Sequence, residues 1–333
     1  MTQPNPIVEK NFDIVRLLSQ KKKQDPEKFK LFNELIVSKD FGPMMQSPKL
    51  WRTNNDIRTA VNLWCKNRSE AKEKYGNISD WNVSNVTDMS DLFSNCHAFN
   101  DDISRWDVSN VTDMNSMFKD ARAFNQPIGQ WDVSKVTDMS NMFYYAESFN
   151  QPIGQWNVSN VTIMDAMFFN ADKFNQPIGD WDVSKVTDMY CMFQDTLSFN
   201  QPIGDWDVSN VTNMGVMFSA SSFNQPIGKW NVSKVTNMEQ MFSFTRAFNQ
   251  DIRNWNISNV TNMEDMFAYA NAMQPNNRPT IHPAPAVPSV GLGNRRGGSK
   301  QTRKPNRKHS RKGKHSKKQM QTKKRGARKT RRG

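Results

Sequence analysis

Tryptophan recurs in this chain at Trp81, Trp106, Trp131, Trp156, Trp181, Trp206, Trp230 and Trp255. The step is 25 residues each time, except for the 24 between Trp206 and Trp230. A fixed period of that length means stacked units, none of which can bury its apolar face alone. Seven full repeats and two partial ends cover roughly residues 76–270.

One unit, Ile128 to Pro152, reads IGQWDVSKVTDMSNMFYYAESFNQP. Trp131 and Val133 alternate around Asp132, a period of two that predicts a short strand with both side chains inward. Met139, Met142 and Phe143 follow at i, i+3, i+4, which predicts a short helix laid on the core. The residue before the first Met is Asp88, Asp113, Asp138, Asp188, Asn213, Asn237 or Asn262, all good helix N-caps, and only Ile163 breaks the column. The phrase Phe-Asn-Gln-Pro-Ile-Gly then turns the chain into the next unit. The expected fold class is an α/β repeat solenoid of short parallel strands and short helices, with the eight tryptophans as structural core. Recurring Ser (Ser84 to Ser258) and Thr (Thr87 to Thr261) make polar ladders expected to satisfy backbone groups at the corners and to cap the helices.

These units resemble the BspA-type leucine-rich repeat family, in its variant with 25-residue WDVSNVTDMSxMF units first noted in mycoplasma surface proteins. The resemblance covers about 195 residues and extends to an N-terminal helix over Asp56 to Asp80. It implies a leucine-rich-repeat-like right-handed stack and a binding or surface role, and it brings no catalytic residues. With a basic tail, the chain is also similar to such arrays in giant DNA viruses and their protist hosts.

The order along the chain is a helical N-terminal region (1–55), a capping helix (56–75), the repeat array (76–270), a Pro-rich linker (271–293) and a basic tail (294–333). Within the cap, Ile57, Ala60, Val61, Trp64 and Ala71 fall on one helical face, and Gly76 reads as its C-terminal stop. Met1 to Pro6 lacks the pattern of a secretory signal. No apolar run reaches the length of a membrane span. The expected site is therefore the cytoplasm, the nucleus or a virion. Three cysteines (Cys65, Cys96, Cys191) are too few for a disulfide scaffold, and Cys96 reads as a buried thiol.

Charge is unevenly spread. The array carries 10 basic and 23 acidic side chains, whereas the tail carries 19 basic ones and no acid. The tail's cations are Arg295, Arg296, Lys300, Arg303, Lys304, Arg307, Lys308, Arg311, Lys312, Lys314, Lys317, Lys318, Lys323, Lys324, Arg325, Arg328, Lys329, Arg331 and Arg332. Such a segment cannot bury enough apolar surface to fold and is expected to be disordered. It suits sequence-independent contact with nucleic acid or another polyanion. No aromatic residue interleaves it, so stacking on single-stranded bases has little support.

Catalytic or metal-binding constellations are not evident. Of the four histidines (His97, His282, His309, His315), only His97 lies in the array. The carboxylates beside the tryptophans (Asp107, Asp132, Asp182, Asp207) alternate with Asn82, Asn157, Asn231 and Asn256, which suits a hydrogen-bonding ladder better than a sugar-cleaving pair. No cofactor or metal is expected, and no catalytic residue. The leading expectation is a non-enzymatic repeat scaffold that binds an unknown protein partner, with a polyanion-binding tail. The alternative is a self-assembling structural component of a virion or cell-surface layer.

Overall fold

A computed structural model of the chain describes residues 50–280. Two α-helices stand at its start, α1 (Ile57–Lys66) and α2 (Arg68–Tyr75). Single 3-10 turns follow at Ile78–Asp80 and Pro275–Asn277. Between those turns the repeats contain no helix, and no strand longer than one isolated parallel bridge per unit. This corrects the expected fold class: the array is neither α/β nor a leucine-rich-repeat-like stack of strands and helices. It is a stack of turns.

Backbone dihedrals explain the difference. In each unit the Met-Met-Phe stretch contains two residues with left-handed backbone, for example Asn141 (φ 56) and Tyr145 (φ 56). A helix cannot run through them. Met142 N–H instead donates to Met139 O at 3.2 Å, and Ala146 N–H to Phe143 O at 3.0 Å. An i→i+3 bond with positive φ at the third residue is the type II signature, so each unit makes two such turns in succession. The donors between them cross to the next unit: Met139 to Ile163 O, Asn141 to Asp165 O, Phe143 to Met167 O and Tyr145 to Phe169 O, at 2.7–3.1 Å. Paired turns also return every third or fourth residue to one side, which is why the apolar spacing imitates a helix.

The Trp-Val segment likewise makes turns (Trp131 N–H to Ile128 O, Val136 N–H to Val133 O), not a strand. The Asp/Asn column holds the bridges, from Asp88↔Asp113 to Asn237↔Asn262. Its side chains cap no helix. Each instead accepts from the N–H two residues on, as Asp138 does from Ser140 at 2.8 Å.

Among the described residues, sixteen non-glycine residues adopt positive φ, an arrangement that costs L-residues about 1–2 kcal/mol each. Gln240 (φ 49) is exposed, so little packing is lost on replacing it. Gln240→Gly is expected to raise stability by about 0.5–1 kcal/mol, because the relieved strain exceeds the extra chain entropy of glycine. A lowered midpoint in urea unfolding would contradict the turn assignment.

Packing is columnar. The eight tryptophans are 0–4% exposed. From Trp106 onward, each indole N–H reaches back to an Ile carbonyl of the preceding unit, as in Trp156 Nε1 to Ile128 O at 3.1 Å. Two phenylalanine ladders run beside them, paired within a unit (Phe143–Phe149, 3.9 Å) and stacked between units (Phe143–Phe168, 5.6 Å; Phe149–Phe174, 6.1 Å).

The polar words of the repeat bond along the stack as well. Thr137 donates from both N–H and Oγ1 to Thr112 O. Asn150 N–H donates to Asn125 Oδ1, and Gln151 Nε2 to Asn125 O and Oδ1. These bonds satisfy backbone groups that neither helix nor sheet would serve. Gly154 sits where a Cβ would lie 2.4 Å from the Pro177 carbonyl oxygen of the next unit, so the close approach of units excludes any side chain there.

The two ends differ. At the first, α1 buries Ile57, Ala60, Val61 and Trp64 against the stack, and Ala71 of α2 is buried as well. The cap is not one continuous helix: Asn67 ends α1 and caps α2 by accepting from Glu70 N–H. Arg58 donates to Ser90 O and to Asp88, covering the first unit's open edge. Cys65 of α1 is disulfide-bonded to Cys96 of the first unit, with Cα atoms 5.7 Å apart. Cys96 is therefore no free thiol. The two cysteines flank the junction of cap and array, a proximity that 31 residues of sequence separation hides.

At the second end, Met273 and Asn277, inside the stretch read as Pro-rich linker, still contact the last units. Met273 is buried, and Asn277 Nδ2 bonds Asn249 O as Gln side chains do in earlier units. Beyond them, the N–H groups of Met263, Asp265, Phe267 and Tyr269 have no acceptor among the described residues, though the same donors in each earlier unit are bonded forward. Residues 1–49 and 281–333 lie outside the described residues. So do most of the helical N-terminal region expected at 1–55, most of the Pro-rich segment and the whole tail.

Candidate recognition surface

Because the units repeat, the chain is its own alignment. Positions facing the core or a ladder vary little and mostly in kind, whereas the residue after the first Met is Ser90, Asn115, Ser140, Asp165, Tyr190, Gly215, Glu239 or Glu264. Divergence gathers on the arc of paired turns, from the Asp/Asn before that Met to the residue before the next ladder Phe. The arc also holds 13 of the array's 23 acids and only 4 of its 10 basic residues.

A second apolar cluster lies on this arc, apart from the main core. Ala166, Cys191 and Val216 are buried there, with Tyr144, Phe169 and Tyr190 packed over them. Tyr144 and Phe169 stack at 4.6 Å, and Tyr145 lies 5.4 Å from Phe169. Further along, Phe244 and Tyr269 stack at 4.5 Å and are 47% and 66% exposed. Gly215 makes room for the Tyr190 ring, whose carbons would lie 3.0 Å from a Cβ there. Rigid, half-exposed rings backed by a packed cluster are the usual anchors of recognition surfaces.

Charge is set by local geometry. Asp165 has an Oδ1 with no hydrogen-bond partner, enclosed beneath the arc. Burial first, then the Asp188 and Asp138 carboxylates, push its acid up to about 6. Ile163 at the adjoining bridge position supplies no side-chain oxygen to accept the Asp165 N–H, whereas the Asp or Asn of the other units does. Burial also pushes the Cys191 thiol up to about 12, so it stays protonated and unreactive at neutral pH. At the first unit, burial pushes the Asp88 acid up, but bonds from Ser90 and Arg58 outweigh it and hold the acid below the usual range.

An aspartate whose folded pKa is raised from 3.8 to about 6 has a cost that is absent below about pH 3 and complete above about pH 7. Asp165→Asn is thus expected to stabilise the chain by about 1 kcal/mol at pH 7.5, after allowance for solvent screening, and by nothing below about pH 3. Thermal melts of both proteins across that range check this. A difference independent of pH would remove the electrostatic account.

The residues singled out in the sequence fall as follows. The eight tryptophans lie in the core, and the nineteen tail cations lie outside the described residues. Asp107, Asp132, Asp182 and Asp207 each accept from a Ser N–H two residues on, at 3.0–3.1 Å. Asn82, Asn157, Asn231 and Asn256 do the same, so either residue serves because only Oδ1 is used. His97 contacts Asp120, which also pairs with Arg122. Among the described residues no group of His, Cys, Asp and Glu is placed to hold a metal ion, and no helix is long and apolar enough to cross a membrane. The aromatic cluster on the arc was not visible from motif reading. Aligning the units on one another would have exposed it.

The fold and this surface define a tandem-repeat protein with a constant core and one divergent face. The chain matches the family described as "Mycoplasma protein of unknown function, DUF285" over residues 64–179 and again over 164–279, about two thirds of its length. It belongs to that family. A search of curated proteins finds no match to the chain.

Proposed function

We propose that the chain is a non-enzymatic scaffold for protein–protein interaction, which recognises a polypeptide through the divergent arc and contacts nucleic acid or another polyanion through its basic tail. One observation carries the reading: in units otherwise written alike, variation and half-exposed aromatic rings coincide on a single face. A repeated catalytic site would instead need constancy there. The mycoplasma-type repeat resemblance, with its surface and binding associations, supports the same class. Of the compartments expected from the sequence, the Cys65–Cys96 disulfide favours the virion over the reducing cytoplasm and nucleus.

The tail's part is tested by titrating salt against duplex DNA and RNA binding, for the full chain and for a chain ending at Gly293. If the tail neutralises about ten duplex phosphates, log K falls with log salt at a slope near roughly −9, and truncation abolishes binding. Equal, negligible binding by both chains would refute polyanion contact with nucleic acid. A second reading, a self-assembling structural layer, is favoured by the opposite charges of array and tail, −13 and +19. Light scattering that persists after nuclease treatment and disappears with salt would support it.

A further inference from the structure

We infer that the arc's partner is a Lys/Arg-rich polypeptide segment, seated across Tyr144 and Phe169 with its cations on Asp172, Asp188 and Asp195. This inference rests on the interaction reading above and names its partner class.

The chain itself displays the binding chemistry at the arc's N-terminal side. Lys119 Nζ sits 5.1 Å from the centre of the Tyr144 ring, held by the ring's negative face. Arg122 spans two units, with Nε 2.8 Å from Asp120 Oδ1 and Nη1 3.4 Å from Glu147 Oε1. The units two and three further on lose these cations while carrying Asp165, Asp172, Asp188 and Asp195. Phe169 stands where Lys119 does, and Asp172 and Leu197 stand where Arg122 does. Lys173 is the one basic residue on this stretch of arc, and none of Asp165, Asp172, Asp188 or Asp195 has an ion pair among the described residues.

The surface therefore pairs flat aromatic area with unneutralised carboxylates, which suits ammonium and guanidinium groups on an extended chain. A neutral or acidic segment would leave those carboxylates desolvated without partners. A purely electrostatic surface would have no use for the packed rings.

The test is fluorescence anisotropy of the full chain with a labelled dodecapeptide of Arg, Lys, Gly and Ser, beside acidic and neutral peptides of equal length. The cationic peptide alone is expected to bind. Tyr144→Ala with Phe169→Ala, and separately Asp172→Asn with Asp195→Asn, should each weaken it at least tenfold. Asp132→Asn with Asp207→Asn removes the same charge beside the tryptophan ladder and should change affinity less than twofold. Equal weakening by the two charge variants, or no binding of the cationic peptide, overturns the inference. A display library then separates the outcomes. Neutral binders lost in the arc variants would overturn the cationic partner alone and leave the interaction reading standing. Binders indifferent to the arc variants would overturn both.

Discussion

Trp156→Ala is expected to destabilise the array by about 4 kcal/mol, the scale of truncating a buried aromatic. The indole is 3% exposed, lies 6.3 Å from Phe143 and bonds Ile128 O. Truncation opens a cavity and strands that buried carbonyl, and the second effect alone costs about 1–3 kcal/mol. In a stack where each unit touches only its neighbours, the damage falls on the two interfaces beside the lesion. Denaturant unfolding should therefore lose cooperativity, with the flanking blocks melting separately. Trp156→Phe, which keeps most of the area but loses the donor, should recover more than half of the loss. A midpoint unchanged by the alanine variant would mean that the tryptophan column is not the core.

Opening the Cys65–Cys96 bond is the other large effect. It closes a loop of 31 residues, and releasing such a loop costs about 3.7 kcal/mol on the chain-entropy account. The cost falls on one end only, because the bond pins α1 to the first unit. Reducing conditions, or Cys65→Ser, should make the cap the first element to unfold. Since α1 and α2 are the helices of the described residues, circular dichroism at 222 nm should drop before tryptophan fluorescence changes. Coincident transitions under reducing and oxidising conditions would refute the pinning role.

How far the fold could be read from residues depends on what each signal measures. The 25-residue period, the inward tryptophans and the apolar columns were legible, because burial imposes them whatever the local backbone does. The local backbone was not legible. Met139, Met142 and Phe143 carry helical spacing, yet Asn141 and Tyr145 are left-handed. Apolar periodicity reports which side a residue faces and is silent on the sign of φ. Type II turns favour Gly or Asn at the third position, but here Tyr145, Ala166, Val216 and Phe244 occupy it. Inter-unit bonds outweigh the local preference, and no single unit announces them. The Asp/Asn column misled for a related reason, since a side-chain oxygen accepting a nearby N–H serves a turn as well as a helix start.

The divergent face lay in plain view by another route. Gly215, Tyr190 and Asp165 are unremarkable one by one. Stacked in register, they mark the column that the repeats do not share. The disulfide was hidden because Cys65 and Cys96 belong to different elements, and only the docking of α1 on the first unit brings them together.

Hydroxyl-radical footprinting of the full chain, with and without the cationic dodecapeptide, addresses the central claim most directly. The account predicts that oxidation of Tyr144, Tyr145, Phe169 and Tyr190 falls at least threefold on binding, while Met and Trp residues of the core stay at their low free-state rate. Protection elsewhere on the array, or none at these rings while the peptide is bound, would contradict recognition by the divergent arc.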